Sequence, residues 1–98
     1  MEFDFSADVW LWDGPAGWHF VTVPADISEV IRTLREPSGR GFGAVKVAVR
    51  LGKSRWQTSV FPQSADGTYV LPVKKQVRSA EGIRAGDEVA VHLALVEG

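Results

Sequence analysis

The sequence predicts a mainly β protein: a six-stranded closed β-barrel with two short helices, built from two β-β-α-β halves, 1–52 and 53–98, of a single domain. Three observations carry this. Apolar and polar residues alternate with a period of two in six short stretches. Twice a strand runs into a proline and then into an apolar stripe of helical period. The second half of the chain repeats the order of events of the first.

Phe3, Phe5, Ala7, Val9 and Leu11 alternate with Asp4, Ser6, Asp8, Trp10 and Trp12, which places the first set in the core. DGPAG is a turn, and a second strand covers Trp18 to Val23 before Pro24. Ile27, Val30, Ile31 and Leu34 then form one face of a helix beginning near Asp26, with Glu29 early and Arg32 and Arg35 near its end, as the helix dipole prefers. Pro37 and SGRGFG break the helix, and Val45, Val47, Val49 and Leu51 alternate with Lys46, Ala48 and Arg50. From Ser54 the order begins again: a strand to Phe61, a turn at QSADG, a short strand from Thr68 to Leu71, and a helix begun at Pro72 with Val73, Val77 and Ala80 as its stripe. Val89, Val91, Leu93 and Leu95 mark a last strand.

The two halves align with FVTVP over YVLP and with Val45, Val47 and Val49 over Val89, Val91 and Leu93. Neither half can bury its apolar face alone, so the two are expected to close on each other as a product of duplication. Six strands leave fewest unpaired edges in a closed barrel, with the helices over its ends or flanks.

Composition sets the bounds. A chain of 98 residues that is 45% hydrophobic can bury roughly 60–70% of its unfolded surface without a staple. The absence of cysteine removes disulfides, thiol catalysis and thiolate metal sites, and with no signal peptide or long apolar run the expected location is cytoplasmic. With 11 Lys and Arg against 12 Asp and Glu, the net charge of −1 argues against a general nucleic-acid or membrane-surface binder.

RGFGAVKV, WQTSVFP and GTYVLPVKKQVRSAEGIRAGDEVAV, in that order and spacing, resemble the bacterial family of domain of unknown function 1905, and WDGPAGWHFVTVP fits its opening. The resemblance implies a double-split β-barrel, a fold shared with AbrB- and MazE-type proteins. In those, each chain of a homodimer supplies half a barrel; here one chain would supply both, so a monomer is expected. The resemblance implies no activity.

Candidates for chemistry are few. His19 and His92 lie in separate strand patterns without metal-ligand or acidic companion spacing, and read as satisfied or exposed strand histidines. No serine sits in a nucleophile elbow, and no paired carboxylates lie in an apolar setting, so the expectation is a protein that is not an enzyme and needs no cofactor or metal. Gly39, Gly41 and Gly43 follow a helix and open a strand, the reverse of a phosphate loop, and leave Arg40 as that connector's functional candidate. Trp10 and Trp12 share the face opposite the core, where they lie either under a helix or in an exposed aromatic patch used for binding; Trp18 and Trp56 are expected in the core.

The sharpest anomaly is YVLPVKKQVR, Tyr69 to Arg78. Lys74 and Lys75 fall where a helix start disfavours cations, with Arg78 one turn on. Either they are a solvated face, at a cost of only about 0.3–1 kcal/mol, or they form an anion site with Arg40. The expected function is a non-catalytic binding module for an anionic small ligand or a partner protein. The alternative is a nucleic-acid-binding regulator of AbrB or MazE type.

Overall fold

A computed structural model describes residues 1–35, 43–63 and 65–96. The strands are β1 (Glu2–Leu11), β2 (His19–Thr22), β3 (Val45–Leu51), β4 (Ser54–Pro62), β5 (Tyr69–Pro72) and β6 (Glu88–Leu95), with helices α1 (Ala25–Arg35) and α2 (Lys75–Glu81). They close a barrel in the order β1-β2-β5-β4-β3-β6, every neighbouring pair antiparallel. Exchanging β1 with β4, β2 with β5 and β3 with β6 maps this order onto itself, consistent with two β-β-α-β halves.

Alternation decides which side chains enter. Val45, Val47, Val49 and Leu51 of β3 and Val89, Val91, Leu93 and Leu95 of β6 are buried, and Lys46 and Arg50 point out. Each helix adds to the same core, α1 through Ile31 and α2 through Val77.

Two prolines shape the barrel. Val23 N–H donates to the Tyr69 carbonyl at 2.8 Å and Val73 N–H to the His19 carbonyl at 2.9 Å, so odd-numbered residues of β5 bond to β2 and its even-numbered residues face β4. The β4–β5 ladder pairs Phe61 with Val70 and Pro62 with Tyr69. Its next bonded rung would set Pro72 against Ser59, and Pro72 has no N–H to give. The ladder stops, and the chain turns into α2. Pro24 falls in line with Ser6 of β1 in the same way at the end of β2.

Pro72 is therefore the last residue of a strand and not the first of a helix, which corrects the sequence reading. It is tolerated there because its rung with Phe20 on the β2 side is a non-hydrogen-bonded one. Lys74, with φ −70° and ψ 161°, is the extended residue preceding α2, and Lys75 opens the helix. Other expectations fail where an element runs past the core or turns a face away from it. Leu11 is 53% exposed because β1 ends with it, Val30 and Leu34 are exposed, and Ala80 faces solvent. The α1 stripe narrows to Ile27, Ser28 and Ile31 because only that face meets the sheet.

Ser28 is buried for a reason of its own. Tyr69 N–H donates to its Oγ at 3.0 Å, and the Oγ hydroxyl donates to the Val23 carbonyl at 3.0 Å. The hydroxyl is inserted into a rung of the β2–β5 ladder and fixes the start of α1 to the seam between the halves. Elsewhere Arg32 of α1 donates to the Gly67 carbonyl in the β4–β5 turn. Glu81 of α2 accepts from Ser54 Oγ at 2.7 Å and from Lys53 N–H at 3.2 Å, bracing the β3–β4 hairpin.

Replacing Ser28 with alanine removes both hydrogen bonds of the inserted hydroxyl. The expected loss is about 1–3 kcal/mol in urea unfolding, with the barrel's circular dichroism retained.

Candidate functional site

The bare stretch of β4 is where the candidate residues gather. Val96 N–H donates to the Lys46 carbonyl at 3.1 Å, which assigns the even-numbered residues of β3 to β6 and its odd-numbered ones to β4. In the β3–β4 register the residues of β4 bonded to β3 are then Ser54, Trp56, Thr58 and Val60. The peptide groups of Arg55, Gln57 and Ser59 face the other way, toward the place β5 has left. No strand pairs with Arg55 or Gln57 on that side among the described residues, and the Ser59 carbonyl has no N–H to receive from Pro72.

Between this edge and the start of α2 lies a groove of about 360 Å³. Lys74, Lys75 and Arg78 line one side, Trp56, Gln57 and Thr58 the other, and Trp18 and His19 close one end. None of its lining residues is a carboxylate, and neither lysine has an ion pair among the described residues. Like cations left unneutralised side by side raise the local positive potential.

Arg78 is the fixed point of the cluster. Its Nε donates to the Val73 carbonyl at 3.1 Å. This holds the start of α2 on the β2–β5 seam, as the Ser28 hydroxyl holds α1 on the opposite end, and leaves the two terminal nitrogens for a ligand. A planar guanidinium held at one nitrogen is pre-oriented for bidentate contact with an oxyanion.

The tryptophans divide differently from the sequence expectation. Trp18, expected in the core, is 50% exposed and stacks on Phe20 at 5.9 Å with the rings 11° apart. It precedes β2 on the outer face, across from Trp12, whose N–H donates to the Trp18 carbonyl at 2.8 Å. Trp56 is half-buried against the core and also walls the groove. Trp10 is half-buried, not under a helix but against Phe20 at 5.2 Å, with its indole N–H donated to Thr22 Oγ1 at 2.9 Å. Trp12 is 43% exposed and lies over Gly14, where any β-carbon would collide with the ring. The aromatic row runs Trp10, Phe20, Trp18, and only its Trp18 end enters the groove. Arg40 lies outside the described residues.

The turn that presents Trp18 is strained at one residue. Ala16, after Pro15, has φ 79° and ψ −2°, the geometry that a type II turn requires of its third residue and that glycine adopts most easily. Ala16 and Gly17 both line the groove, so this turn forms part of its wall.

A second concave face lies around the corner of β4. Arg50 stands directly opposite Arg55 across β3 and β4, and beside His92 across β3 and β6. With Gln57 and the small Ala48 and Ala94 they border a shallow depression of about 360 Å³. Trp56 and Gln57 line this depression and the groove alike, so Arg50, Arg55, Lys74, Lys75 and Arg78 flank one continuous surface.

His92 is the functional-looking residue that sequence spacing could not partner. Its Nδ1 lies 2.7 Å from Asp4 Oδ1 and its Nε2 2.8 Å from Glu2 Oε1. Carboxylates accept, so the two contacts are both hydrogen bonds only when the ring is protonated, and together they favour that form. The companions stand 88 and 90 residues away and meet it only through the β1–β6 register, which pairs Asp4 with His92. With both nitrogens occupied the ring has none left for a metal. No group of three or more His, Cys, Asp or Glu among the described residues is placed to hold one. No helix among them is long and apolar enough to cross a membrane.

These features define a small split β-barrel with a cationic, aromatic-walled groove along one free strand edge. The chain matches the family described as Domain of unknown function (DUF1905) over residues 5–93, and it belongs to that family. No curated protein matches it.

The Asp4 hydrogen bond raises the pKa of His92 above the ordinary imidazole value, partial desolvation opposes this, the Glu2 bond reinforces it, and Arg50 nearby opposes it. A raised folded pKa gives stability that is fully present below the unfolded value of about 6.5 and is lost as pH rises through the folded one. Melting temperature followed between pH 5 and 8 is expected to show this decline, and His92→Gln to remove it.

Proposed function

We propose that this barrel is a non-catalytic binding module and that the groove between α2 and the free edge of β4 takes an anionic ligand with a flat or apolar portion. One observation carries the reading: Lys74, Lys75 and Arg78 converge on a groove whose other walls are Trp18 and Trp56, with no carboxylate among its lining residues. A volume of about 360 Å³ suits a small ligand or a few residues of a partner. The cations supply long-range attraction, the guanidinium supplies geometry, and the indoles supply apolar contact. A cofactor has no part in this reading.

The barrel closes with strands of one chain, which supports action as a monomer, and the self-mapping strand order supports an origin by internal duplication. Residence in the cytoplasm of a bacterium belongs to the same proposal.

Titration with inorganic phosphate, sulfate and a nucleoside monophosphate, read by tryptophan fluorescence and melting temperature, tests the reading. The protein is expected to gain melting temperature with at least one of these anions. Lys74→Gln/Lys75→Gln is expected to weaken that response at least tenfold while its own melting temperature stays equal or rises slightly, because the helix start loses an unfavourable dipole interaction. Equal responses from the two proteins would make the lysines a solvated face.

A further inference from the structure

We infer that the groove is a β-augmentation site, whose occupant is an extended acidic peptide segment of another protein that adds as a strand to β4 from Arg55 to Ser59. The inference rests on the reading of the groove as an anion site and names the class of ligand. Its ground is the coincidence of two features that have separate causes. Pro72 ends the β4–β5 ladder and leaves the peptide groups of Arg55 and Gln57 and the carbonyl of Ser59 without a strand partner. Independently, α2 and β4 bring cations to both sides of that line.

An added strand lies about 4.8 Å from β4 and places alternate side chains on opposite faces. On the outer face they would meet Arg55, which stands beside Arg50. On the other face they would meet Lys74, Lys75 and Arg78, with Trp56 as the apolar floor. Acidic residues are thus complemented on either face, and the main chain receives the N–H and C=O groups that β5 does not use. Five residues of edge correspond to roughly 17 Å of extended peptide.

The corresponding edge of β1 provides a contrast within the same molecule. Pro24 frees the peptide groups of Asp4 and Ser6 as Pro72 frees those of β4. That edge carries Glu2, Asp4 and Asp8, and carboxylates along an edge repel an acidic strand. Of the two edges made alike by the fold, only β4 is charged to receive one. A single-stranded nucleic acid would use the cations and indoles but not the free peptide groups, so the edge favours a peptide.

The test uses the intact protein and an acetylated, amidated hexapeptide alternating glutamate and valine. A second probe has the same sequence N-methylated at every internal nitrogen, which keeps the charges and removes the donors of both edges. Tryptophan fluorescence and amide chemical shifts report binding. The expected result is saturable binding of the first peptide, at least tenfold weaker binding of the methylated one, and shifts concentrated at Arg55, Gln57 and Ser59. Lys74→Gln/Lys75→Gln is expected to weaken binding at least fivefold.

Gln57→Pro removes one edge donor without touching the β3 ladder, and is expected to keep the wild-type melting temperature within a few degrees and to lose the peptide. Equal binding of both peptides would reduce the site to charge alone and overturn the inference, as would tighter binding of oligothymidylate of matched charge. Self-association that Gln57→Pro abolishes would make a second copy the occupant and overturn it too. Phosphate binding that survives a failed peptide experiment would leave the anion reading standing; loss of both would remove both.

Discussion

An antiparallel ladder continues only while each strand can donate and accept at alternate residues, and Pro24 and Pro72 withdraw the donor at the rung where sheet and helix part. From that follow the short β2 and β5, the turn of the chain into α1 and α2, and the partition of β1 and β4 into a stretch paired on both sides and a stretch paired on one. A longer β5 would cover Ser59 and Gln57 and leave no groove. The prolines thus close the barrel's topology and open its edge in one stroke.

What fills the space each proline creates differs between the two halves. At the end of β2, the Ser28 hydroxyl is buried in the seam and joins two backbone groups. Its place is structural, with nothing left over for a ligand. At the end of β5, Arg78 joins the seam through one nitrogen and keeps two for other partners. The same architectural problem is solved once with a group that is consumed by the solution and once with a group that is not.

The strands, helices and barrel were legible because periods of two and 3.6 are local and the core needed them. Less legible was whatever depended on where an element ends or which strand lies beside it. Pro72 reads as a helix start because prolines favour that position, and only the β2 register reveals it as a strand end. Leu11, Val30 and Leu34 keep the right period but run past the surface they would cover. His92 gives no local sign of its carboxylates, since Asp4 and Glu2 reach it only through the β1–β6 pairing. The lysines of YVLPVKKQVR were visible as an anomaly of charge at a helix start. That Trp18 and Trp56 share their groove, and that an unpaired strand edge runs along it, required the closed barrel.

Hydrogen exchange of individual amides in the free protein tests the central claim most directly. If Pro72 leaves the edge of β4 bare, protection alternates along it: Trp56 and Thr58 exchange slowly, bonded to β3, while Arg55 and Gln57 exchange near the rate of exposed peptide. Uniform slow exchange from Arg55 to Ser59 would mean that the edge is already covered, and would contradict the account.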